Sequence, residues 1–164
     1  MFFKKQNKEK LSVFRYFIFV EVPAEQVYQE VLLWDRSEWW PKNSVLKIIR
    51  LGDGQPEQGM QFKMYLILPF LFLNHLELNS LVPQQELNFI FVKGSLKGSQ
   101  VIRIEARSNG IKVEYELSYQ IQGLLNKIFW AMFWGPIFAK GIQGIFNSLK
   151  KHIVGKSQQT LNQS

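Results

Sequence analysis

Cysteine is absent from the 164 residues. That excludes a disulfide framework, a thiolate nucleophile and a Cys-ligated zinc site. Histidine is scarce: only His75 and His152 occur. They fall on distant elements, so no metal site is expected and both read as surface residues. No G-x-S-x-G elbow, phosphate loop or dinucleotide fingerprint is found, and no cofactor is expected. Long apolar runs are missing too. The stretch Ile128–Trp134, continued by Gly135–Ala139, is closed off by Lys127 and Lys140 and interrupted by Gly135-Pro136. It falls well short of the ~20 residues of a span, and Tyr65–Leu73 is shorter still. The segment fits an interfacial, membrane-touching role better than a transmembrane one. The opening residues MFFKKQNKEK lack the apolar core of a signal peptide. A cytoplasmic location is expected, with peripheral membrane contact as the alternative.

Apolar residues make up 46% and aromatics 15%, with 14 Phe among them. This is the composition of one soluble domain rich in apolar bulk and poor in polar catalytic clusters. The net charge of +7 is uneven. Residues 1–10 carry four Lys against one Glu, and residues 121–164 carry five Lys and no acid, while the stretch between is nearly neutral. Basic ends act as solubilising tails or attract an anionic membrane surface. The neutral middle offers no basic stripe to track phosphates, so nucleic acid is not an expected partner.

Val13–Val22 is β-branched and aromatic and predicts a strand, closed by Pro23. The spacing of Val27 with Val31 and Tyr28 with Leu32 predicts a helix. A second short helix is expected over Asp35–Trp40, with Asp35 as N-cap and Pro41 as stop. Strands follow at Val45–Arg50, Met60–Leu68 and Leu76–Val82, then one bearing Leu87, Phe89 and Phe91 on one face. Turns fall at 52–59, at Pro69 and at Pro83-Gln84-Gln85, and 93–98 (KGSLKG) reads as a loop. Ile102, Ile104 and Ala106 oppose Arg103, Glu105 and Arg107. After the hairpin signal Asn109-Gly110, Ile111, Val113, Tyr115, Leu117 and Tyr119 oppose Lys112, Glu114, Glu116 and Ser118. One wet face and one buried face describe an antiparallel sheet covered on a single side. Its cover is the apolar helical stretch Gln122–Ile153, expected in two pieces broken at Gly135-Pro136.

This order, with its motifs, resembles the START and birch-pollen-allergen-like superfamily, within it the bacterial polyketide cyclase/dehydrase and lipid-transport group. Val22-Pro23-Ala24-Glu25-Gln26-Val27-Tyr28 looks like the family's entry to its first helix. Trp34-Asp35 followed by Trp39-Trp40-Pro41 looks like its second helix. The Gly-rich turn before Met60-Gln61-Phe62, and Gly135-Pro136 through Leu149-Lys150, look like its second hairpin and its closing helix. The resemblance implies an α+β helix-grip fold: a curved antiparallel sheet of about seven strands wrapped on a long C-terminal helix, with two short helices between the first and second strands. Residues 12–154 would form this domain, between a basic flexible tail (1–11) and a disordered one (155–164). The family's shared property is an apolar cavity beneath the helix.

Strand alternation points Tyr115, Tyr119 and Ser80 inward and Arg103 and Arg107 outward. The tyrosines would orient a ligand or sit as core residues with their tips at a rim. No charge pair is expected inside. The expected ligand-binding residues are Met64, Phe89, Phe91, Ile104, Tyr115, Tyr119, Trp134, Phe138 and Ile142. No catalytic residue is assigned. The expected ligand is an apolar small molecule, lipid, isoprenoid or polyketide-like. The alternatives are a cyclase/dehydrase-type enzyme using Tyr115 or Tyr119, and a membrane-associated lipid or quinone chaperone. Trp34, Trp39 and Trp40 are expected to pack the second helix on the sheet or to form a lid. The aromatics around Gly135-Pro136 exceed what one core-facing stripe requires, so some must face solvent, ligand, partner or lipid.

Overall fold

The computed structural model describes residues 11–36, 38–67 and 72–161. Seven antiparallel strands lie in the order β1-β7-β6-β5-β4-β3-β2. They are β1 (Ser12–Val20), β2 (Leu46–Leu51), β3 (Gln61–Leu66), β4 (Phe72–Val82), β5 (Glu86–Gly94), β6 (Leu96–Arg107) and β7 (Gly110–Ile121). Between β1 and β2 stand α1 (Ala24–Leu32) and a single 3-10 turn, Trp34–Arg36. After β7 come α2 (Leu124–Phe129), a π-helical segment (Trp130–Trp134) and α3 (Gly135–Leu161). Helix α3 packs against both edge strands, β1 and β2, and touches α1. A helix that meets both edges of one sheet can do so only if the sheet curls around it. This is the helix-grip architecture.

The alternation read from sequence sets the core. Leu76 and Leu78 of β4, Leu87 and Phe89 of β5, Ile102 and Ile104 of β6, and Val113, Tyr115 and Leu117 of β7 all face inward and are buried. On the outer face Arg103 sits among Glu86, Glu114 and Glu116, and Arg15 of β1 bonds Glu116 at 2.6 Å. The register Arg15↔Glu116 and Arg103↔Glu114 places these charges opposite one another across strands.

Four features differ from expectation. The loop expected at 93–98 is strand on both sides of a tight hairpin at Ser95. Gly94 and Gly98 are there because neighbouring chain passes close: a Cβ on Gly98 would lie 2.0 Å from the Ser118 carbonyl oxygen. Second, the pairing of β4 with β5 shifts between Leu78 and Ser80. The extra residue, Asn79, reverses parity, so Leu81 rather than Ser80 packs on the core. Third, of the helix expected over Asp35–Trp40 the described residues show only the 3-10 turn Trp34–Arg36, and Pro41 disfavours a helical conformation for Trp40. Fourth, Gly135-Pro136 does not break the C-terminal helix. The Gly135 N–H bonds the Trp130 carbonyl, five residues back, so a π turn absorbs the register change that a helical proline demands. Gly135 is required here, because a Cβ would lie 2.8 Å from that carbonyl oxygen. Helix α3 then continues to Leu161, past the helix end expected at Ile153. The expected turn at Pro69 and the end of β3 at Leu68 lie outside the described residues, as do the basic residues of 1–10.

Candidate functional site

All nine expected ligand-binding residues belong to the core or pack against it. Met64, Phe89, Ile104, Tyr115, Trp134, Phe138 and Ile142 are buried, and Phe91 and Tyr119 are partly buried against them. Five of them, Phe89, Tyr115, Tyr119, Trp134 and Phe138, fall into two aromatic groups. Tyr115 packs on Phe138 with centroids 6.3 Å apart, joined by Phe14 and Phe146. Phe89 packs on Phe62 and Trp34 at 5.3 and 5.6 Å. Trp134 lies on Phe72, and Trp130 bridges Phe72, Tyr119 and Phe138.

Each inward polar group has a specific setting. The Tyr115 hydroxyl donates to Gln100 Oε1 at 2.9 Å, inside the core. Burial raises its pKa far above the ordinary tyrosine value, so it stays protonated. The Tyr119 hydroxyl accepts a hydrogen bond from the Trp130 indole at 3.2 Å. Asn74 is fully buried, and its Oδ1 accepts from the Leu96 N–H at 2.9 Å while its Nδ2 has no partner among the described residues. Asn74 shares the inward face with Phe72 and Leu76, so this amide is a donor held in an apolar interior.

One inward charge pair exists, contrary to expectation. Arg50 of β2 shares the inward face with Leu46 and Ile48. Its Nη2 lies 2.6 Å from Asp35 Oδ1, with side-chain exposures of only 1% and 2%. Nη1 donates to the Gly54 carbonyl at 2.5 Å, and the guanidinium lies over the Phe62 ring. The pair ties the 3-10 turn and the 52–59 turn to β2. Trp34 is thereby set against Phe89, while the Trp40 indole donates to the Leu46 carbonyl at 3.3 Å. The three tryptophans thus pack this segment onto the sheet.

An apolar opening lies one helical row away from the expected helix residues. A groove of about 510 Å3 runs between the segment 41–45 and α3, lined by Pro41, Asn43, Ser44, Val45, Ile137, Lys140, Gly141 and Gly144. Ile137, Gly141 and Gly144 recur at i, i+4 and i+7 and so share one face of α3. A Cβ on Gly141 would lie 3.3 Å from the Leu46 side chain, whereas one on Gly144 would meet nothing within 4 Å. The sequence carried a signal for this groove that the hydrophobic pattern did not use: two glycines, i and i+3, inside a long helix. Among the described residues no cluster of three or more His, Asp or Glu side chains could hold a metal ion.

No protein-family model and no curated protein sequence matches the chain. Solved structures do. The chain is similar to Ara h 8.0201, at 14% identity over 88% of this chain and 99% of that one, with a TM-score of 0.59. It is similar to the Zhui aromatase/cyclase from Streptomyces sp. R1128, at 12% identity over 87% and 93%, with a TM-score of 0.61. It is also similar to the di-domain ARO/CYC protein StfQ from the steffimycin biosynthetic pathway, at 12% identity over 91% of this chain and 52% of that one, with a TM-score of 0.66. At these identities the likeness establishes the fold. The chain shares the helix-grip fold of these structures.

Proposed function

We propose that the protein binds an apolar small molecule, lipid, isoprenoid or polyketide-like, between the sheet and α3, and admits it through the groove at Gly141 and Gly144. The observation that carries this reading is the groove itself. It is walled by Pro41, Val45 and Ile137, with the core residue Leu46 behind Gly141. A glycine inside a helix costs about 0.5–1 kcal/mol relative to alanine. Two on one face, one of them beside open space, keep room where a side chain would otherwise pack. Burying a few hundred Å2 of apolar ligand at about 25 cal/mol per Å2 yields roughly 5–10 kcal/mol before ordering costs. That supports binding at about micromolar concentration. The Asn74 amide gives an apolar ligand bearing an oxygen one donor to meet.

The polar groups support carrying over catalysis. Zhui and StfQ are aromatase/cyclase proteins, and such chemistry needs a group free to polarise a carbonyl and move a proton. Here the Tyr115 hydroxyl is given to Gln100 and held protonated, Tyr119 is bonded to Trp130, and Arg50 is bound to Asp35.

The test is titration with an apolar fluorescent fatty-acid probe. The wild-type chain should saturate at about micromolar probe. Gly144→Trp fills the groove from a position with free space around it, and should weaken binding at least about tenfold with the unfolding midpoint little changed. Absence of saturable binding by the wild type would overturn the reading, and equal binding by both proteins would remove the groove from it.

A further inference from the structure

The aromatic excess around Gly135-Pro136 resolves in an unexpected way. Trp130, Trp134, Phe138 and Ile142 recur every fourth residue and turn toward the sheet, where they are buried. The large side chains left outside are mostly apolar. Leu124, Leu125 and Met132 are 74%, 70% and 62% exposed, and Ile128 and Phe133 are exposed beside them. Leu124, Ile128 and Met132 follow one another at i+4 spacing on a single helical face. The packing of Trp130 and Trp134 on Phe72, the first residue of β4, fixes this segment over the same end of the sheet as the β3–β4 connection. Ile67 and Leu73 are exposed there too. Exposed apolar side chains grouped in this way mark an interaction site.

The charges around it have one sign. Lys127 and Lys140 bracket the segment, and Lys93 and Lys97 flank the β5–β6 hairpin at the same end of the sheet; all four are exposed. None of the four has an acidic partner among the described residues. No Asp or Glu follows Glu116 in the sequence. Among the described residues no helix is long and apolar enough to cross a membrane. Apolar side chains ringed by unpaired lysines, on a segment too short to span, match the interface of an anionic bilayer.

We infer that the α2–π-helix tip docks on an anionic lipid bilayer, with Leu124, Leu125, Ile128, Met132 and Phe133 entering the headgroup region and the lysines meeting lipid phosphates and carboxylates. Ile137 and Lys140 line the groove and follow Phe133 by about one and about two helical turns. Docking therefore brings the groove mouth to the bilayer. That last step rests on the ligand-binding reading, whereas the docking itself does not.

The experiment is flotation of the full chain with vesicles of phosphatidylcholine alone and of phosphatidylcholine with about one-third phosphatidylserine. The wild-type chain should float with the anionic vesicles, weakly or not at all with the neutral ones, and less as salt rises. The double variant Leu125→Glu/Met132→Glu changes two exposed positions. It should lose vesicle binding at least about tenfold while keeping the wild-type circular dichroism and unfolding midpoint. Lys127→Glu/Lys140→Glu should lose the preference for anionic lipid. Failure of the wild type to float, or flotation unaltered in the Leu125→Glu/Met132→Glu variant, overturns the proposal. So does a wild-type dimer in solution that this variant converts to monomer, since the surface would then belong to a second copy. Probe binding measured on the same samples separates the two readings: a chain that floats but takes up no probe refutes ligand binding and leaves docking standing.

Discussion

Tyr115 is the largest fully buried side chain, and its hydroxyl and Gln100 satisfy each other in an apolar surround. Tyr115→Phe keeps the ring but strands the Gln100 carbonyl, and should lower stability by about 1–3 kcal/mol in urea unfolding. The pH dependence follows from the same burial. The folded-state pKa of Tyr115 is raised, so its contribution is whole below the unfolded value of about 10 and declines as pH climbs above it, because the unfolded chain ionises first. The phenylalanine variant should show a shallower alkaline limb; an identical limb would contradict this. Glu116 acts at the other end of the scale. Its partial burial opposes the charged form, but the Arg15 hydrogen bond and the nearby Arg103 outweigh it and hold the carboxyl below the ordinary range. Its stabilising contribution is present above about pH 4.3 and is lost as pH falls through the depressed folded value. Glu116→Gln should therefore flatten the acid limb of a stability-against-pH curve.

Among the elements, the connections hold what the hydrophobic pattern could not show. Asp35→Ala leaves Arg50 charged, buried and without its carboxylate. It should cost about 3–5 kcal/mol by chemical denaturation, whereas Asp35→Ala combined with Arg50→Met should recover part of the loss. Gly135→Ala drives a Cβ into the Trp130 carbonyl and should destabilise. Gly144→Ala, in open space, should stabilise by about 0.5–1 kcal/mol. The same midpoints measure both, and a reversed order would contradict the helix geometry. The strands were legible because β6 and β7 alternate strictly and one face is wet. The hairpin at Ser95 was not, because Gly94 and Gly98, which admit close neighbouring backbone, look like loop residues. Ser80 was misplaced because a bulge at Asn79 leaves no mark in the alternation. The Arg50–Asp35 pair joins residues fifteen apart on different elements, which no local period can reveal.

Across the whole molecule, one helix does two things. Its inward row of Trp134, Phe138 and Ile142 closes the core. Its next row, Ile137, Gly141 and Gly144, opens a groove that hydrophobic patterning overlooks, because the row is defined by side chains that are missing. None of the nine expected residues lines the groove, and seven of them are buried in the core. The central claim, an apolar ligand taken up between sheet and helix, is tested most directly by native mass spectrometry and organic-solvent extraction of the freshly purified full chain. The account predicts a co-purifying apolar compound in the wild type and its depletion in Gly144→Trp. A wild-type chain that carries no such compound, and gains none when incubated with lipid and isoprenoid extracts, would contradict it.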